Sequence, residues 1–356
     1  MGQIQHGEIS LERGYRMAEE MPHPAQPLNY MEGTIVRDAM ADILTNQAPR
    51  VRDIVSKWLR RGIDHLYLVG CGGSYATTLP PKWILDRFST LPVDRYSGYE
   101  FLHRAPARLN GRSAVVLGSH SGTTEEILKA VDLAQGRGAF TVSLTEHDTP
   151  LSRRTDDALT YRSPATNLSK LLLSYLIAIE LLTQRNEIPD EGAVHSSLWA
   201  LPDAMHAIRS ETEKVGRELA KEFRDADQFY VIGSGPVMGL AYQFTVCNLL
   251  EMQWIDASAI NAAEFQHGPL EIVRAGLPMI FLLGTDKSRA VSERALAFAQ
   301  RYGARTIVFD LKDMPGVHPW FAPLGLHLPL QWLNWYLGVE RDHPISTRRY
   351  MGKVAY

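Results

Sequence analysis

The chain has 356 residues, which exceeds the usual size of one domain, so we expect two domains or an internal duplication. Its formal net charge of -3, with acidic and basic residues interspersed, argues against a nucleic-acid groove, because such a groove needs clustered Lys and Arg. The polar N-terminus does not resemble a secretory signal, and no apolar run approaches the ~18 residues of a membrane span. We therefore expect a cytoplasmic protein that binds neither nucleic acid nor membrane.

Two segments precede the first predicted strand. Residues 1–29 are polar and rich in proline near their end, and we interpret them as an arm that covers a neighbouring surface. Between residues 31 and 61 the apolar side chains recur at helical spacing, and Pro49 interrupts this pattern. The sequence therefore predicts two helices that are separated near Pro49.

A strand, a glycine or serine turn and a helix then recur. HLYLVG (65–70) predicts a buried strand, and Cys71-Gly72-Gly73-Ser74 follows it before a helix-compatible segment. SAVVLGS (113–119) predicts a second strand that leads into another helix. The remaining elements predicted here are strands at 139–144 and 158–161 and an apolar helix at 168–182. Strands that alternate with helices indicate a parallel sheet covered on both faces.

A second round begins after helical segments between residues 191 and 222. QFYVIG (228–233) predicts a strand that ends in Ser234-Gly235-Pro236, much as the first strand ends in a glycine turn. The other elements predicted in this half are a helix at 237–250, a strand at 278–284, a helix at 288–302, a strand at 305–310 and a helix from 320 to 337. The pattern indicates an internal duplication with a boundary near residues 188–225.

The loop SHSGTTEE (119–126) carries the strongest local chemistry. Its hydroxyl and backbone N–H groups follow a strand and precede a helix, where the helix dipole favours an anion. Ser74 follows another strand, and the carboxyl ends of parallel strands line one crevice. The loop is neither a GxxxxGK[ST] nor a GxGxxG motif, which disfavours nucleoside triphosphates and dinucleotides. We predict a phosphate site, and an ordinary helix cap closed by Glu125 or Glu126 is the alternative.

The stretch EMQWIDASAINAAEFQHGPLE (251–271) has the composition of an active site. Glu251 follows an apolar segment that is predicted to be a buried helix, and His267 stands at a chain break formed by glycine and proline. A carboxylate and an imidazole in such positions suit proton transfer. The alternative is that Glu251 caps a helix and His267 is a core histidine.

These pieces together resemble the sugar isomerase (SIS) domain family over nearly the whole chain after residue 29. Besides SHSGTTEE, the resemblance is carried by CGGSYA (71–76), EMQW (251–254), EFQHGPLEI (264–272) and HPISTRRYMGKVAY (343–356). In combination these segments are most similar to the stand-alone deglycases of phosphorylated Amadori compounds, which act on fructoselysine 6-phosphate or 6-phosphofructose-aspartate. They also resemble the isomerase portion of glutamine:fructose-6-phosphate aminotransferase.

The resemblance implies an α/β fold with two tandem SIS domains, each an α-β-α sandwich around a parallel five-stranded sheet. The implied organisation is an arm at 1–29, SIS domains at 30–190 and 191–340, and a tail at 341–356 over the active site. It also implies a homodimer or a higher homo-oligomer, in which the histidine loop reaches into a neighbouring subunit's cleft.

The resemblance assigns roles to individual residues. Glu251 is the implied base, His267 its acid/base partner and Lys353 a catalytic lysine of the tail. The implied phosphate-binding residues are Ser74, Ser119, His120, Ser121 and Thr124. The tail departs from the expected pattern at Ala355, where a glutamate is expected.

The implied function is a deglycase that cleaves a fructosyl-amino acid 6-phosphate to glucose 6-phosphate and a free amino acid. No metal or organic cofactor is expected, because the histidines are scattered and Cys71 and Cys247 lie far apart without a CxxC partner. An aldose/ketose isomerase or an aminosugar 6-phosphate deaminase is the alternative. A non-catalytic sugar-phosphate sensor is a further alternative, although the arm is too short for a DNA-binding domain. The amino acid carried by the sugar is left open.

Overall fold

The computed structural model describes residues 29–354. The first half contains a parallel sheet with the strand order β2-β1-β3-β4-β5. Its strands are β1 (His65–Gly70), β2 (Val93–Ser97), β3 (Ser113–Gly118), β4 (Phe140–Glu146) and β5 (Asp157–Tyr161). Every residue of β1 and β3 is buried, as expected for central strands that are covered on both faces.

Helices cover both faces of this sheet. The helices of the first half are α1 (Ile35–Arg61), α2 (Gly73–Ala76), α3 (Leu79–Phe88), α4 (Gly98–Arg104), α5 (Glu125–Gly136), α6 (Pro150–Arg154) and α7 (Thr166–Gln184). Alternate residues of β1 point to opposite faces, so Tyr67 and Val69 pack in a cluster with α4, α5 and α6. Leu66 and Leu68 pack on the other face in the core that contains α1, α3 and α7.

Pro49 lies inside one continuous helix, so the prediction of two helices is wrong. A proline in a helix interior removes a hydrogen bond and costs roughly 3 kcal/mol. Apolar residues on both sides of it, including Ile43 and Ile54, are fully buried against the core. Burial of both segments on one side of the molecule therefore outweighs the local cost and keeps the helix intact.

The second half contains a parallel sheet of four strands in the order β7-β6-β8-β9, so the expectation of five strands is wrong for this half. Its strands are β6 (Gln228–Gly233), β7 (Asp256–Asn261), β8 (Pro278–Leu283) and β9 (Arg305–Asp310). After β9 the chain passes through short 3-10 turns into α11 (Ala322–Glu340), which is apolar all round and buried. Because α11 must be buried in the core, the chain leaves the edge strand β9 at this point, and no fifth strand follows within the described residues.

The remaining helices of the second half differ in type. They are α8 (Glu191–Glu222), α9 (Met238–Gln243), a π-helix (Phe244–Gln253), α10 (Arg289–Arg301) and 3-10 turns at Gly235–Val237, Ala262–Glu264, Pro269–Ile272, Leu311–Asp313 and Pro319–Phe321; a further 3-10 turn at Asn29–Met31 precedes α1 in the first half. Helix α9 leads directly into the π-helix, so the helix predicted at 237–250 changes its hydrogen-bonding pattern midway.

One hydrophobic core runs through both halves. Its members include Met31 and Trp58 of the first half together with Leu198 and Leu337 of the second. Helix α8 packs against α11 and also against α1, which joins the two sheets. Helix α7 is long and apolar enough to cross a membrane by length and composition, but 78% of it is buried inside the fold, as in a core helix.

Candidate active site

The loops that follow β1 and β3 begin at paired residues of the sheet. Gly70 at the end of β1 is the register partner of Gly118 at the end of β3, so the two loops start side by side. Both glycines leave room for Ser74, because a Cβ at Gly70 would lie 2.7 Å from the Ser74 carbonyl carbon and one at Gly118 would lie 3.2 Å from Ser74 Cβ. The structure therefore brings Ser74 to the edge where the loop 119–126 begins.

Hydroxyl groups of the loop bind one another and its backbone. Ser119 Oγ lies 2.7 Å from Thr124 Oγ1 and accepts a hydrogen bond from the N–H of Gly122 at 3.2 Å. Ser121 Oγ lies 2.8 Å from Thr123 Oγ1. Thr124 stands at the N-cap position of α5 but makes no side-chain capping bond. The serines and threonines thus form a compact group of hydroxyls at a helix N-terminus, which differs from the capping arrangement considered as the alternative.

The backbone of the loop depends on one glycine. Gly122 has a φ of +64°, in the left-handed region that favours glycine. A Cβ at this position would also overlap the Thr149 side chain, which caps α6. The turn between Ser121 and Thr123 therefore requires a glycine.

His120 is half-buried beside an open cleft. Its Nδ1 lies 3.2 Å from the Tyr161 hydroxyl, and its Nε2 lies 3.9 Å from the Glu146 carboxylate. Burial, and then the charge of Lys170, lower the pKa of His120 below its usual value. The cleft has a volume of ≈ 460 Å³ and is lined by His120, Glu146, His147, Arg162, Ser163 and Pro164. A neutral imidazole at the edge of this cleft can bond to a ligand without adding charge.

Glu251 lies in the last turn of the π-helix. Helices of this type are rare and are found mostly at functional sites. The Glu251 carboxylate is 26% exposed and forms an ion pair of 2.8 Å with Arg348 of the C-terminal tail. Arg348 also donates to the carbonyl oxygens of Ile345 and Thr347, which fixes the guanidinium in place. The tail therefore covers Glu251 through Arg348.

Cys247 lies on the π-helix, one turn before Glu251. A Cβ at Gly239 of α9 would lie 2.8 Å from the Ala76 carbonyl oxygen, so the turn that carries Ser74 packs closely against the helix that continues into Glu251. Burial, and then the Glu251 charge, raise the pKa of the Cys247 thiol to about 11, which keeps this cysteine in its unreactive thiol form. Proximity of Ser74, the hydroxyl loop and Glu251 gives one composite site.

Lys170 lies under the same site. It is 3% exposed, belongs to the apolar helix α7 and donates from Nζ to Ser74 Oγ at 2.7 Å. Burial lowers its pKa to about 8. A cation enclosed in this way sits beneath the hydroxyl groups of the predicted phosphate site.

His267 and Lys353 lie outside this group. His267 is exposed between two 3-10 turns, next to Gly268 with a φ of +132°, and Lys353 is exposed near the end of the tail. Among residues 29–354, neither side chain forms a hydrogen bond or an ion pair with Glu251. Ala355 lies outside the described residues, so its departure from the expected tail pattern has no structural counterpart.

The corresponding turn of the second half binds its own side chains. Ser234 Oγ lies 2.7 Å from Ser292 Oγ and 3.0 Å from Ser288 Oγ. The Asp286 carboxylate accepts from the N–H of Ser288 just before α10, where an anionic ligand would otherwise be placed. A carboxylate of the chain itself thus occupies the anion position of this half.

Three residues of the site were not predicted from the sequence. Lys170 could have been predicted, because it is the single lysine in the apolar segment 166–184. A buried helix normally carries no charged side chain unless that charge has a role. Arg348 is part of the tail motif but was not distinguished from its neighbours. Cys247 carries no signal in the sequence, because a single cysteine on an apolar helix is usually a core residue.

Comparison with known proteins identifies the family of this chain. The SIS domain family matches residues 61–185, the span from the end of α1 to the end of α7. Fructoselysine 6-phosphate deglycase of Escherichia coli (strain K12) is 36% identical over 313 residues, which cover 87% of this chain and 92% of the relative. The chain belongs to the fructoselysine 6-phosphate deglycase family.

Another relative and a solved structure extend the comparison. Fructosamine deglycase FrlB of Bacillus subtilis (strain 168) is 36% identical over 310 residues, with 83% of this chain and 93% of the relative covered. A phosphosugar isomerase structure from Salmonella typhimurium superposes with a TM-score of 0.81 at 33% identity, covering 87% of this chain and 99% of that one. The resemblance to this deglycase family in the sequence is thereby confirmed.

Proposed function

We propose that this protein cleaves a fructosyl-amino acid 6-phosphate into glucose 6-phosphate and a free amino acid. The observation that carries the proposal is the close contact between the Ser74 turn and α9, the helix that continues directly into the π-helix of Glu251. It supports a site in which the Glu251 carboxylate and the hydroxyl loop at the N-terminus of α5 act on one substrate. Membership of the deglycase family supports the same function.

The proposed reaction is a proton transfer followed by hydrolysis. In the substrate, C1 carries the amine and C2 is a carbonyl carbon. Removal of a proton from C1 gives an enaminol, and delivery of a proton to C2 converts the C1–N bond to an imine. Water then adds to C1, the C1–N bond breaks, and the nitrogen leaves with its electron pair and a proton as the free amine. No net oxidation or reduction occurs.

Glu251 is the proposed carrier of the proton between C1 and C2. A positioned acid/base group of this kind typically contributes ~10²–10⁴-fold to the rate. Arg348 holds the carboxylate in the described state, and its fork of N–H donors can also orient substrate oxygens. The phosphate is proposed to bind Ser74, Ser119, Ser121 and Thr124, with His120 bonding to the ligand.

His267 and Lys353 are proposed to complete the site from outside the group described above. His267 is proposed to assist ring opening or departure of the amine, and the exposed position of its loop suits a contribution to a neighbouring subunit. Lys353 belongs to the same tail as Arg348, and closure of the tail is proposed to bring it to the substrate.

We further propose two tandem SIS domains at 30–190 and 191–340, the second reduced to four strands, with a tail at 341–356. The parallel sheet of each half and the glycine or serine turn after its first strand support this organisation. A cytoplasmic homodimer or higher homo-oligomer, with residues 1–29 as an arm, is proposed on the resemblance. Residues 1–28 lie outside the described part of the chain.

A substrate panel tests the proposed function. The purified protein is incubated with 6-phosphates of several fructosyl-amino acids, with fructose 6-phosphate and with glucosamine 6-phosphate, and glucose 6-phosphate and free amine are assayed. We expect turnover of the fructosyl-amino acid phosphates, with Glu251→Gln inactive. Glu218→Gln removes an exposed carboxylate of α8 and serves as the matched active control. Turnover of fructose 6-phosphate or glucosamine 6-phosphate alone would instead support the isomerase or deaminase alternative.

A further inference from the structure

Lys170 is a buried cation without a described anionic partner. Its side chain extends from α7 and is buried, and its Nζ donates to the neutral hydroxyl of Ser74. Among residues 29–354 no carboxylate forms an ion pair with it. Buried charges in proteins are normally paired, because an unpaired charge pays a large desolvation cost. Such a lysine therefore points to an anion that the folded chain does not itself provide.

The surroundings of Lys170 identify where that anion binds. Ser74 lies at the edge of the sheet where the hydroxyl loop begins, and the charge of Lys170 also reaches His120 within this loop. Lys170 also interacts electrostatically with the Cys247 thiol, which is neutral because burial raises its pKa to about 11. The groups around the ammonium are thus neutral donors and acceptors of the phosphate cradle.

We propose that Lys170 is the buried positive charge that binds the substrate phosphate through the Ser74 end of the cradle. The proposal rests on the proposed function, because it concerns the phosphate of the same substrate. In this arrangement the hydroxyls and the N-terminus of α5 give the site its shape, and Lys170 gives it a full charge. Ser74 Oγ accepts from Lys170 and turns its own proton toward the phosphate oxygen.

The structure predicts a pH dependence of phosphate binding. The free protein has a Lys170 pKa of about 8, and a bound dianion favours the protonated lysine. The affinity for the phosphate is therefore full well below pH 8, where Lys170 is protonated, and it falls as the pH rises through 8. Of the titratable groups facing Lys170, His120 has a lowered pKa and Cys247 a pKa of about 11, so neither changes charge between pH 7.5 and 9.5.

Calorimetric titration with glucose 6-phosphate measures this coupling without requiring turnover. At pH 8.5 a pKa of about 8 leaves roughly a quarter of the lysines protonated, so binding should take up roughly three-quarters of a proton. The uptake is obtained from titrations in buffers that differ in ionisation enthalpy. Binding without proton uptake by the native protein would overturn the proposal.

Lys170→Met is the variant that tests whether the lysine binds the phosphate. Methionine fills the apolar volume of the lysine stem, and loss of one charge-assisted bond should weaken glucose 6-phosphate binding by roughly 10- to 100-fold at pH 7 and abolish the proton uptake. Lys129→Met is the matched control, because it removes an exposed lysine from α5 close to the same loop. Its affinity should stay within about twofold of the native value.

Thermal unfolding separates this role from a structural one. An unpaired buried charge destabilises the free protein, so Lys170→Met should melt at a higher temperature than the native protein when no ligand is present. Glucose 6-phosphate should then raise the melting temperature of the native protein more than that of the variant. A lower melting temperature or failure to fold for Lys170→Met would show a structural lysine and overturn the proposal.

The two proposals fail in different ways. If the protein binds glucose 6-phosphate with proton uptake but releases no amine from fructosyl-amino acid phosphates, the deglycase function is wrong and Lys170 keeps its assignment. If it releases amine while Lys170→Met binds glucose 6-phosphate as tightly as the native protein, the assignment of Lys170 is wrong.

Discussion

Glu251 is the residue on which the proposed chemistry depends, and its environment is partly polar. The carboxylate is 26% exposed and held by Arg348, whereas the sequence suggested a group at the end of a buried helix. A carboxylate in this setting can exchange its Arg348 partner for substrate atoms. The ability of Glu251 to transfer a proton therefore depends on where Arg348 holds the carboxylate as well as on its burial.

Replacement of Glu251 by glutamine tests this role. Glutamine keeps the size and an oxygen acceptor for Arg348 but cannot take a proton, so kcat should fall by ~10²-fold or more while glucose 6-phosphate still binds. Deuterium uptake at C1 of the substrate, followed by NMR in heavy water, measures the proton-transfer step itself. Exchange at the native rate in Glu251→Gln would move the role of base to Glu264 or Lys353.

The hydroxyl loop can be tested by a double substitution. Ser121→Ala with Thr124→Ala removes one member from each of the two hydroxyl pairs, and each lost charge-assisted bond is worth ~1.5–3 kcal/mol. We expect KM for the phosphorylated substrate to rise by at least roughly tenfold, because the dianion loses these bonds. Steady-state kinetics give this value, and an unchanged KM would remove the loop from the site.

Sequence reasoning located the chemical groups of this site better than their partners. Ser74 and the hydroxyl loop were predicted because strand ends in a parallel sheet share one edge, which is a property of the fold class. The Arg348–Glu251 pair and the bond from Lys170 to Ser74 join residues distant in the chain, and no local pattern encodes them. Contacts of this kind depend on how α7 and the tail pack.

At the scale of elements, the crossing of α8 and α11 connects the helices of the second half. Gly216 of α8 lies against the backbone of α11, where a Cβ would be 2.9 Å from the Trp332 carbonyl carbon. Hydrogen bonds flank the contact, with Trp332 Nε1 donating to the Arg209 carbonyl at 2.8 Å and the Tyr336 hydroxyl donating to Glu213 at 2.6 Å. The close approach of the two backbones therefore requires a glycine.

Alanine substitutions along α8 test this crossing. Gly216→Ala should lower the free energy of unfolding by roughly 1–3 kcal/mol, because the backbone atoms of α11 cannot move away without disturbing the core. Gly192→Ala lies in the same helix and meets no atom within 4 Å, so it should leave stability unchanged or slightly higher. Chemical denaturation of both variants gives the comparison. Equal stabilities would show that the helices separate at little cost.

Continuous apolar runs were predicted as strands, and the two strands missed from the sequence are β2 and β7. Strands β1, β3 and β8 are apolar runs, whereas β2 and β7 have half-exposed or alternating patterns and lie at sheet edges. The π-helix was predicted as an ordinary helix, because its sequence has the apolar composition of either form. The change from α-type to π-type hydrogen bonds at Phe244 therefore has no counterpart in the apolar periodicity.

At the scale of the whole molecule, the proposed oligomer gives the exposed His267 a role in the site of a second subunit. His267 is exposed, and within residues 29–354 it forms no hydrogen bond or ion pair with the Glu251 carboxylate of its own chain. A shared site would place the loop of one subunit over the cleft of another. The proposed oligomer would then be required for catalysis.

Subunit exchange tests a shared site. Glu251→Gln and His267→Ala chains are each expected to be inactive, and mixing them should restore part of the activity, because one of the mixed sites then receives both native groups. Mixing two preparations of the same variant provides the control. No recovery after exchange has been verified by mass spectrometry would show that each site is built from one chain.

The continuous core has a consequence for synthesis of the protein in the cell. Met31 and Leu337 belong to the same buried cluster, so the early helices cannot be fully covered until almost the whole chain has left the ribosome. At roughly 5–20 residues per second, the part of α1 that packs against α8 waits many seconds for its partner, although the part that packs on α7 can be covered earlier. During that interval the nascent chain is a substrate for chaperones, and a chain cut between the two sheets would release two fragments prone to aggregation.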